Sequence, residues 1–279
     1  MKRLIWLGFV AVMLMTSCNT SQRNKLPMLR VMSFNIRNSG AWEQDGDNDW
    51  NHRRKSVAFM LLAEHPDALG MQEMLPDQLA YLDSILANKY DRIGVGRDDG
   101  MNEGENMCIY YRRDRLELLD WQTKWLSETP DSVSFGWDAA CRRTVTIAHF
   151  RDRVSSDDFV YMNTHLDHMG KEARRNSVLL LAAWADEYDC PVLLGGDMNS
   201  DLTDSIFLPL QDHDLLSARK ESIASDTALT YNGYGKDRAS RIDHFFVKDW
   251  KVLSFRTMKG NYGVPYISDH YPVMVEIAL

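Results

Sequence analysis

Apolar residues recur along the chain at two spacings, one typical of helices and the other typical of strands. Helical spacing, with proline or turn residues at the ends, predicts helices over residues 49–65, 76–87 and 171–188. Short apolar or alternating runs separated by glycine, aspartate and proline predict strands. These strands cover residues 29–36, 68–71, 91–96, 107–112, 116–126, 144–150, 159–165, 192–194, 242–247, 252–258 and 273–277.

Strands outnumber helices, and helices lie between strands in both halves of the chain. The simplest architecture is an α/β (α+β) fold, in which two packed, mostly antiparallel sheets carry helices on their outer faces. The first helix places Trp50, Val57 and Leu61 on one side, while Arg53 and the two basic residues after it lie elsewhere. No linker, repeat or low-complexity stretch divides residues 28–279, which predicts a single domain there.

The first residues of the chain have the pattern of a secretory signal. Two basic residues precede an apolar run over 4–15, which is too short to span a bilayer comfortably. Small residues and Cys18 follow, resembling a bacterial lipobox. The pattern predicts a signal peptide over 1–17, lipidation of Cys18, a polar tether over 18–27 and a place in the cell envelope, anchored outside the cytoplasm. An ordinary cleaved signal peptide is the alternative.

Composition limits the partners that this chain is expected to bind. Loss of the two basic residues with the signal peptide moves the formal net charge from −8 to −10. That acidity argues against tight sequence-independent binding of long duplex DNA, although a bound metal ion can supply positive charge locally. Cys108, Cys141 and Cys190 fit no disulfide framework by their spacing and are expected to be small apolar residues.

Four short segments each join a strand-like run to residues that bind a hydrated cation or move a proton. They are VMSFNIR (31–37), LGMQEM (69–74), LLGGDMNS (193–200) and ISDHYPV (267–273). The candidate residues are Asn35, Glu73, Asp197, Asn199, Asp269 and His270. All are oxygen ligands or a proton shuttle and none is a thiolate, so the set suits Mg²⁺ or Mn²⁺ and phosphate chemistry.

Each motif also has an ordinary structural explanation. Glu73 follows a strand and precedes a proline, where a glutamate is usually a solvated loop residue. Residues 197–199 suit an Asx turn as well as a ligand site, although the two glycines before them allow close backbone approach. For His165 and His168, at the end of another strand, the ordinary explanation is one core histidine and one surface histidine. A zinc site is a poor alternative because no third soft ligand lies nearby.

The histidine near the C-terminus needs a carboxylate partner to bring its pKa toward working pH. Asp269 is its neighbour in sequence, and neighbouring side chains rarely hydrogen-bond each other well. The expected partner of His270 is therefore Asp243, which directly follows a basic turn at the start of the strand over 242–247.

The segments occur in the order found in the endonuclease/exonuclease/phosphatase superfamily, and residues 29–278 resemble that superfamily. The matching positions are Asn35 for the strand-end asparagine, Glu73 for the metal-binding glutamate, His165 for the N-T-H-L histidine, Asp197 and Asn199 for G-D-x-N, Asp243 for the R-I-D aspartate, and Asp269 and His270 for the terminal S-D-H. Residues 96–100, 109–119 and 125–131 further resemble a bacterial secreted branch close to deadenylase-like members.

The resemblance implies a four-layered α/β sandwich with the site at one end of the two sheets. It further implies one Mg²⁺ or Mn²⁺ on Glu73, with Asn35 and Asp269 nearby and several waters. The same resemblance implies the proton-transfer groups. Asp197 and Asn199 would orient the attacking water, and His270, held by Asp243, would move the proton. His165 would donate a hydrogen bond to the phosphoryl oxygen or act as the acid.

Five further residues are candidates for substrate contact, namely Arg97, Trp137, Arg143, His168 and Arg175. Arginine can donate two hydrogen bonds to one phosphate, and a loop tryptophan can stack on a base or sugar. The ordinary role of such arginines is a surface salt bridge. The leading hypothesis is a metal-dependent phosphodiesterase of nuclease type, monomeric, that acts on short nucleic acids, nucleotides or a small organic phosphodiester. The alternatives are a phosphomonoesterase on a sugar or inositol phosphate, and a non-enzymatic binding lipoprotein.

Overall fold

The computed structural model describes residues 27–236 and 239–279 of the chain. The predicted signal peptide over 1–17, the lipidation at Cys18 and the tether up to residue 26 lie outside the described residues. Within the described part of the chain, no helix combines the length and the apolar character needed to cross a bilayer.

The described residues form strands and helices close to those that the sequence predicts. The strands are β1 (Leu29–Asn35), β2 (Ala68–Gln72), β3 (Tyr90–Ile93), β4 (Ile109–Arg112), β5 (Leu116–Trp125), β6 (Thr144–Asp152), β7 (Asp158–His165), β8 (Val192–Asp197), β9 (Leu216–Ser217), β10 (Ala224–Ser225), β11 (Asp243–Lys248), β12 (Lys251–Thr257) and β13 (Val273–Ala278). The α-helices are α1 (Trp42–Asp45), α2 (Trp50–Glu64), α3 (Pro76–Leu86), α4 (Lys171–Ala185), α5 (Leu208–Asp212) and α6 (Ala218–Glu221). Short 3₁₀ turns cover Ser39–Ala41, Gly46–Asn48, Ser205–Phe207 and Gly233–Gly235.

The strands form two sheets. The first sheet has the order β10-β12-β13-β1-β2-β4-β3, and the second has the order β5-β6-β7-β8-β11-β9. The pairs β1–β2, β7–β8 and β10–β12 are parallel, and the remaining pairs are antiparallel. The prediction of two mostly antiparallel sheets is therefore confirmed.

The two sheets pack face to face, and helices cover their outer faces. Val31 and Phe245 belong to the core between the sheets. Met60 of α2 and Leu82 of α3 pack on the outer face of the first sheet, and Leu181 of α4 packs on the outer face of the second. Each such buried side chain contributes roughly 1.5–3 kcal/mol. The result is the four-layered sandwich that the resemblance implies.

Strand alternation determines which polar residues reach the space between the sheets. On β1, Val31 faces the inter-sheet core while Met32 faces the helices, so Asn35 at the strand end shares the face of Val31. On β8, Asp197 shares the face of the core residue Leu193 in the same way. Carboxylate and amide groups therefore meet where the inter-sheet core ends.

The strand β8 runs three residues farther than the sequence predicts, through Gly195 and Gly196 to Asp197. Neighbours pair with it on both sides, β7 in parallel and β11 antiparallel. A Cβ at Gly196 would lie 1.9 Å from the carbonyl oxygen of Thr164, and the φ of Gly196 is +149°. Only glycine fits there, so the two glycines let Asp197 stand at the end of a continuous strand.

Helix α2 begins and ends as predicted, but one of its arginines was placed wrongly. The side chain of Asp49 caps the helix by accepting a hydrogen bond from the backbone N–H of His52 at 3.1 Å. Arg53 is 1% exposed and shares the buried side of Trp50 and Val57, whereas the prediction placed it elsewhere on the helix. Its guanidinium donates hydrogen bonds to the carbonyl oxygens of Ile36, Arg37, Asn48 and Ile267. Its spacing of three residues from Trp50 and four from Val57 places Arg53 on that face. Arginine is rarely buried, however, and the sequence does not show that backbone carbonyl oxygens there accept its hydrogen bonds.

Candidate active site

Three neighbouring strand ends of the second sheet bring together a histidine and two aspartates. In the pairing of β7 with β8, His165 lies opposite Asp197, and in the pairing of β8 with β11, Asp197 lies opposite Asp243. All three residues are at most 5% exposed. The register therefore places these predicted residues side by side. His165 and Asp197 line a cavity at the edge of both sheets, and Asp243 lies behind them against His270.

That cavity has a volume of about 530 Å³. Nearly all of its lining is polar or charged. The lining residues are Arg37, Asn38, Glu73, Arg97, Glu105, Cys141, Arg143, His165, His168, Asp197, Asn199, Tyr231, Ser240, Ile242, Asp269 and His270. Residues from both sheets and from the loops at their ends contribute, which agrees with a site at one end of the sandwich.

Asn35 joins the two halves of the site. Its Nδ2 donates hydrogen bonds to Glu73 Oε1 at 2.9 Å and to Asp197 Oδ2 at 3.0 Å. Its Oδ1 accepts a hydrogen bond from the backbone N–H of Arg37 at 3.0 Å. The amide therefore fixes the distance between two carboxylates on different sheets, and its role as a metal ligand stays a prediction.

Glu73 is held as an ionised carboxylate. The residue adopts a left-handed backbone, with φ +64°, immediately after β2. Its Oε2 accepts hydrogen bonds from the backbone N–H of Asn38 at 3.0 Å and from Asn38 Nδ2 at 2.9 Å. Burial favours the neutral acid, but the hydrogen bonds from Asn35 and Asn38, with the charge of Arg37, lower the pKa of Glu73 below its usual value.

The oxygen-rich side of the cavity fits a hard divalent cation. Burial and the negative charge of Glu73 raise the pKa of Asp269, and Arg37 approaches Asp269 Oδ2 only at 3.8 Å. Glu105 is the next carboxylate, and burial together with the charge of Glu73 raises its pKa to about 7. Three carboxyl groups that repel one another form the oxygen donor set that Mg²⁺ or Mn²⁺ prefers.

On the other side of Asp197, His270 bridges two carboxylates. Its Nδ1 lies 2.9 Å from Asp243 Oδ2, and its Nε2 lies 3.7 Å from Asp197 Oδ2. Burial alone would lower the pKa of His270, but the charges of Asp243 and Asp197 raise it well above the usual value. Asp243 is thus the partner of His270, as the sequence predicts.

The same three residues present atoms that all lie within 4.8 Å of one another, close enough to share one cation. The contact between His270 Nδ1 and Asp243 is, however, already the length of a strong hydrogen bond. Burial and the charge of Asp243 raise the pKa of Asp197 to about 7, against the opposing charge of His270. This group is therefore suited to holding and moving a proton near neutral pH.

His165 lies on the far side of Asp197 and has the opposite electrostatic environment from His270. Its Nε2 is 3.5 Å from Asp197 Oδ2. Burial, then the positive charges of Arg143 and Arg97, lower the pKa of His165 well below the usual value. The ring is therefore neutral at pH 7 and acts through hydrogen bonds rather than through charge.

Asn199 follows Asp197 in a tight turn. It has φ +48°, and its backbone N–H donates to Asp197 Oδ1 at 2.9 Å. Its Nδ2 donates to the carbonyl oxygen of Leu166 at 2.9 Å. This is the Asx turn that the sequence left open as an alternative, and the same turn places Asn199 in the lining of the cavity.

The structure divides the five candidates for substrate contact. Arg97, Arg143 and His168 line the cavity, whereas Trp137 and Arg175 do not. The side chain of Arg175 is 62% exposed on α4, where it lies 3.8 Å from the Glu172 carboxylate. For Trp137 and Arg175, substrate contact stays a prediction that applies only to a substrate extending beyond the cavity.

Sequence reasoning missed several lining residues. Arg37 and Asn38 lie two and three residues after Asn35. Their closeness to a predicted ligand at a strand end could have indicated that they line the site. Glu105 and Tyr231 come from long loops. No sequence pattern places such loop residues, because their position depends on how the loops pack.

Comparisons with known proteins agree with this geometry. The profile of the Endonuclease/Exonuclease/phosphatase family matches residues 32–270. An endonuclease/exonuclease/phosphatase structure from Bacteroides vulgatus is 34% identical, with a TM-score of 0.85, and the match covers 91% of this chain and 99% of that one. A mannosyl-6-phosphatase from Bacteroides thetaiotaomicron VPI-5482 is 32% identical, with a TM-score of 0.85, covering 90% of this chain and 100% of that one.

A more distant relative is Nocturnin of Drosophila melanogaster. It is 26% identical over 183 residues, which cover 60% of this chain but only 27% of Nocturnin. The family profile, the two Bacteroides structures and the sandwich of two mixed sheets all agree. The chain therefore belongs to the endonuclease/exonuclease/phosphatase family of phosphoester hydrolases.

Proposed function

We propose that this protein is a divalent-metal-dependent hydrolase that removes the terminal phosphate from a small phosphomonoester such as a sugar phosphate. One observation carries the proposal. The Glu73–Asp269 side of the cavity, suited to a cation, lies beside the Asp197–His270–Asp243 group, suited to moving a proton. Both are needed to hydrolyse a phosphoester at neutral pH.

The size and charge of the site favour a small substrate. A cavity of about 530 Å³ accommodates a sugar phosphate or a mononucleotide. The acidic net charge offers little to a long polyanion. The similarity to a mannosyl-6-phosphatase along nearly the whole chain supports the monoester alternative. The phosphodiester substrate that the sequence favoured first stays a prediction, and the assay below includes it.

Residues of the chain itself account for proton transfer in this mechanism. Asp197, with a pKa of about 7, takes the proton of the attacking water on Oδ2. Asn199 orients that water. The charged His270 stabilises Asp197 from one side and gives its Nε2 proton to the leaving oxygen as the ester bond breaks. It then takes back the proton that Asp197 accepted from the water, which restores both groups. Neutral His165 donates a hydrogen bond from Nε2 to a phosphoryl oxygen. Asp243 keeps the His270 ring in place by accepting from Nδ1.

The cation would be held by Glu73 and Asp269, with Asn35 keeping Glu73 in position. When bound, Mg²⁺ or Mn²⁺ supplies charge stabilisation for the phosphoryl and leaving oxygens. A cation there would also offset the effects of burial and of the Glu73 charge, which together raise the pKa of Asp269.

We also propose that the enzyme is anchored in the cell envelope by lipid on Cys18. The proposal rests on the sequence pattern over residues 1–18. Cells that express the full chain and a Cys18→Ala variant are grown with a labelled fatty acid. Label in the wild-type chain only, together with loss of membrane fractionation in the variant, supports the anchor. Equal membrane association of both chains contradicts it.

The function is tested with residues 27–279, Mg²⁺ or Mn²⁺ and a panel of phosphoesters. The panel contains mannose 6-phosphate, p-nitrophenyl phosphate, bis-p-nitrophenyl phosphate, an inositol phosphate and short single-stranded RNA and DNA. The expected result is EDTA-sensitive phosphate release from the monoesters, absent from Asp197→Ala. Faster cleavage of the diesters or oligonucleotides would overturn the monoester assignment, and a folded protein inactive on every compound would favour the binding-protein alternative.

A further inference from the structure

Arg143, directly before β6, has an unsatisfied donor beside the cavity. Its side chain is only 5% exposed. Its Nε donates to Asp167 Oδ2 at 3.3 Å, and its Nη2 lies 3.0 Å from His168 Nδ1. The third nitrogen, Nη1, is buried and has no hydrogen-bond partner among the described residues. A buried donor without a partner is costly, so its presence in the wall of an active site calls for an explanation.

Asp167 fixes the guanidinium before any ligand arrives. Its Oδ2 accepts from the backbone N–H groups of Ala140 and Cys141 at 3.1 and 3.2 Å, and its Oδ1 accepts from those of Met169 and Gly170 at 2.9 and 2.7 Å. Despite burial, these hydrogen bonds lower the pKa of Asp167 to about 2. The carboxylate is thus ionised and held by four backbone N–H groups, and it fixes the Nε side of the guanidinium.

The neighbours of Arg143 place it close to the reacting phosphate. Its charge and that of Arg97 act on His165, which is 3.5 Å from Asp197. Arg97, which also lines the cavity, donates from Nη1 to Glu105 Oε2 at 2.6 Å, and its Nε is likewise buried without a partner among the described residues. Arg143 thus lies with His165 in the lining of the cavity, and its Nη1 has no partner among the described residues.

We propose that Arg143 determines specificity for phosphomonoesters, by donating from Nη1 to the anionic oxygen that a monoester has and a diester lacks. This inference rests on the proposed function. A monoester dianion spreads two charges over three terminal oxygens, whereas a diester spreads one charge over two oxygens and carries a second organic arm. A charged, preorganised donor therefore gains more from the dianion.

The test is the variant Arg143→Gln, with Arg151→Gln as its matched control. Arg151 lies near the other end of β6, where its side chain is 45% exposed and pairs with Asp158 outside the cavity. The kcat/KM values are measured for p-nitrophenyl phosphate, mannose 6-phosphate and bis-p-nitrophenyl phosphate. Arg143→Gln is expected to lower kcat/KM for both monoesters by about 10- to 100-fold, and to change the diester value by less than about 3-fold. Arg151→Gln changes none of them.

Two results would overturn the proposal. An equal loss on monoesters and diester means that Arg143 serves catalysis or folding in general. A loss on mannose 6-phosphate alone, with p-nitrophenyl phosphate unchanged, means that Arg143 contacts the sugar. If the melting temperature shows that Arg143→Gln is unfolded, the same kcat/KM values are measured for Arg143→Lys instead. Lysine keeps the charge beside Asp167 without the planar fork, and the same selective loss on monoesters is expected.

Calorimetric binding of inorganic phosphate and of dimethyl phosphate, with Mg²⁺ present, separates this inference from the proposed function. The wild-type protein is expected to bind phosphate about 10-fold or more tightly than Arg143→Gln does, with equal affinities for dimethyl phosphate. That result supports the Arg143 site even if no phosphoester in the panel is hydrolysed. Equal phosphate affinity of the two proteins overturns it even if the enzyme is active.

Discussion

Two histidines on either side of Asp197 are held in opposite protonation states. His270 lies between Asp243 and Asp197, whose charges raise its pKa, whereas His165 is buried near Arg143 and Arg97, which keep it neutral. The difference comes from the neighbouring side chains, since both rings are equally buried. In the proposed mechanism, the charged ring stabilises Asp197 and the neutral ring donates a hydrogen bond to the phosphoryl oxygen.

Replacing His270 by alanine is expected to lower kcat by about 10²–10⁴-fold, because the proton-transfer group is lost. The measurement is the steady-state rate of phosphate release at saturating substrate. His52→Ala is the control, since the His52 side chain is 62% exposed at the start of α2 and contacts Asp49 outside the cavity. A His270→Ala variant with its melting temperature intact and near-wild-type kcat would contradict the assignment.

A different histidine is expected to make folding stability depend on pH. His244 is 1% exposed on the outer face of β11, and its Nε2 lies 2.9 Å from the carbonyl oxygen of Ser200. Burial lowers its pKa to about 4, from 6.5. Between these pH values the unfolded chain binds a proton that the folded chain does not, so stability rises with pH through this window and is complete above 6.5.

The free energy of unfolding, from urea titrations at pH 4 and pH 7, is the quantity to compare. His244→Gln keeps a donor for Ser200 but does not titrate. The wild type is expected to lose about 3 kcal/mol more than this variant between pH 7 and pH 4. Parallel pH profiles for the two proteins would show that the pKa of His244 is the same in the folded and the unfolded chain, which contradicts the prediction.

At the level of elements, helix α2 holds the loops that carry the site. Arg53 reaches from the middle of this helix to carbonyl oxygens of Ile36 and Arg37, just after β1, and of Ile267, two residues before Asp269. One side chain therefore ties the end of a central strand to the segment before the last strand. Arg37 separately links the end of β1 to the short helix α1, with its Nη2 3.1 Å from Asp45 Oδ1.

The variant Arg53→Met is expected to lower the free energy of unfolding by about 3 kcal/mol or more, because several buried carbonyl oxygens lose their donor. Urea denaturation measures this change. The neighbouring Arg54, which is half-buried and stacks on Tyr81, serves as the control through Arg54→Met, with an expected loss of about 1 kcal/mol or less. Equal losses of unfolding free energy in the two variants would mean that the hydrogen bonds of Arg53 do not stabilise the fold beyond its packing.

The sequence predicted most of the elements because their patterns are local. Apolar periodicity placed α2, α3 and α4, and the strand ends with their polar residues followed from short motifs. The Asp243–His270 pair could also be predicted, since sequence neighbours make poor hydrogen-bond partners. Arg53 and Glu105 could not, because their surroundings are formed by segments distant in sequence. The extension of β8 to Asp197 likewise depends on pairing with β7 and β11 on both sides.

For the whole molecule, the packing of two sheets is what creates the site. Asn35 from the first sheet donates hydrogen bonds to Glu73, beside it, and to Asp197 of the second sheet. The cation side therefore belongs mainly to the first sheet and the adjoining loops, and the proton-transfer side to the second sheet and the His270 segment. Neither sheet alone contains both functions, so hydrolysis depends on the intact sandwich.

The central claim is that Glu73 holds a divalent cation beside a proton-transfer group, and metal-dependent turnover tests it most directly. Phosphate release from p-nitrophenyl phosphate is measured for residues 27–279 and for Glu73→Gln, across a titration of Mg²⁺ into EDTA-treated protein. We expect wild-type activity to appear with Mg²⁺ and vanish with EDTA, and Glu73→Gln to require far more Mg²⁺ or to stay inactive while folding normally. Turnover that is insensitive to EDTA, or the same Mg²⁺ dependence in both proteins, would contradict the account.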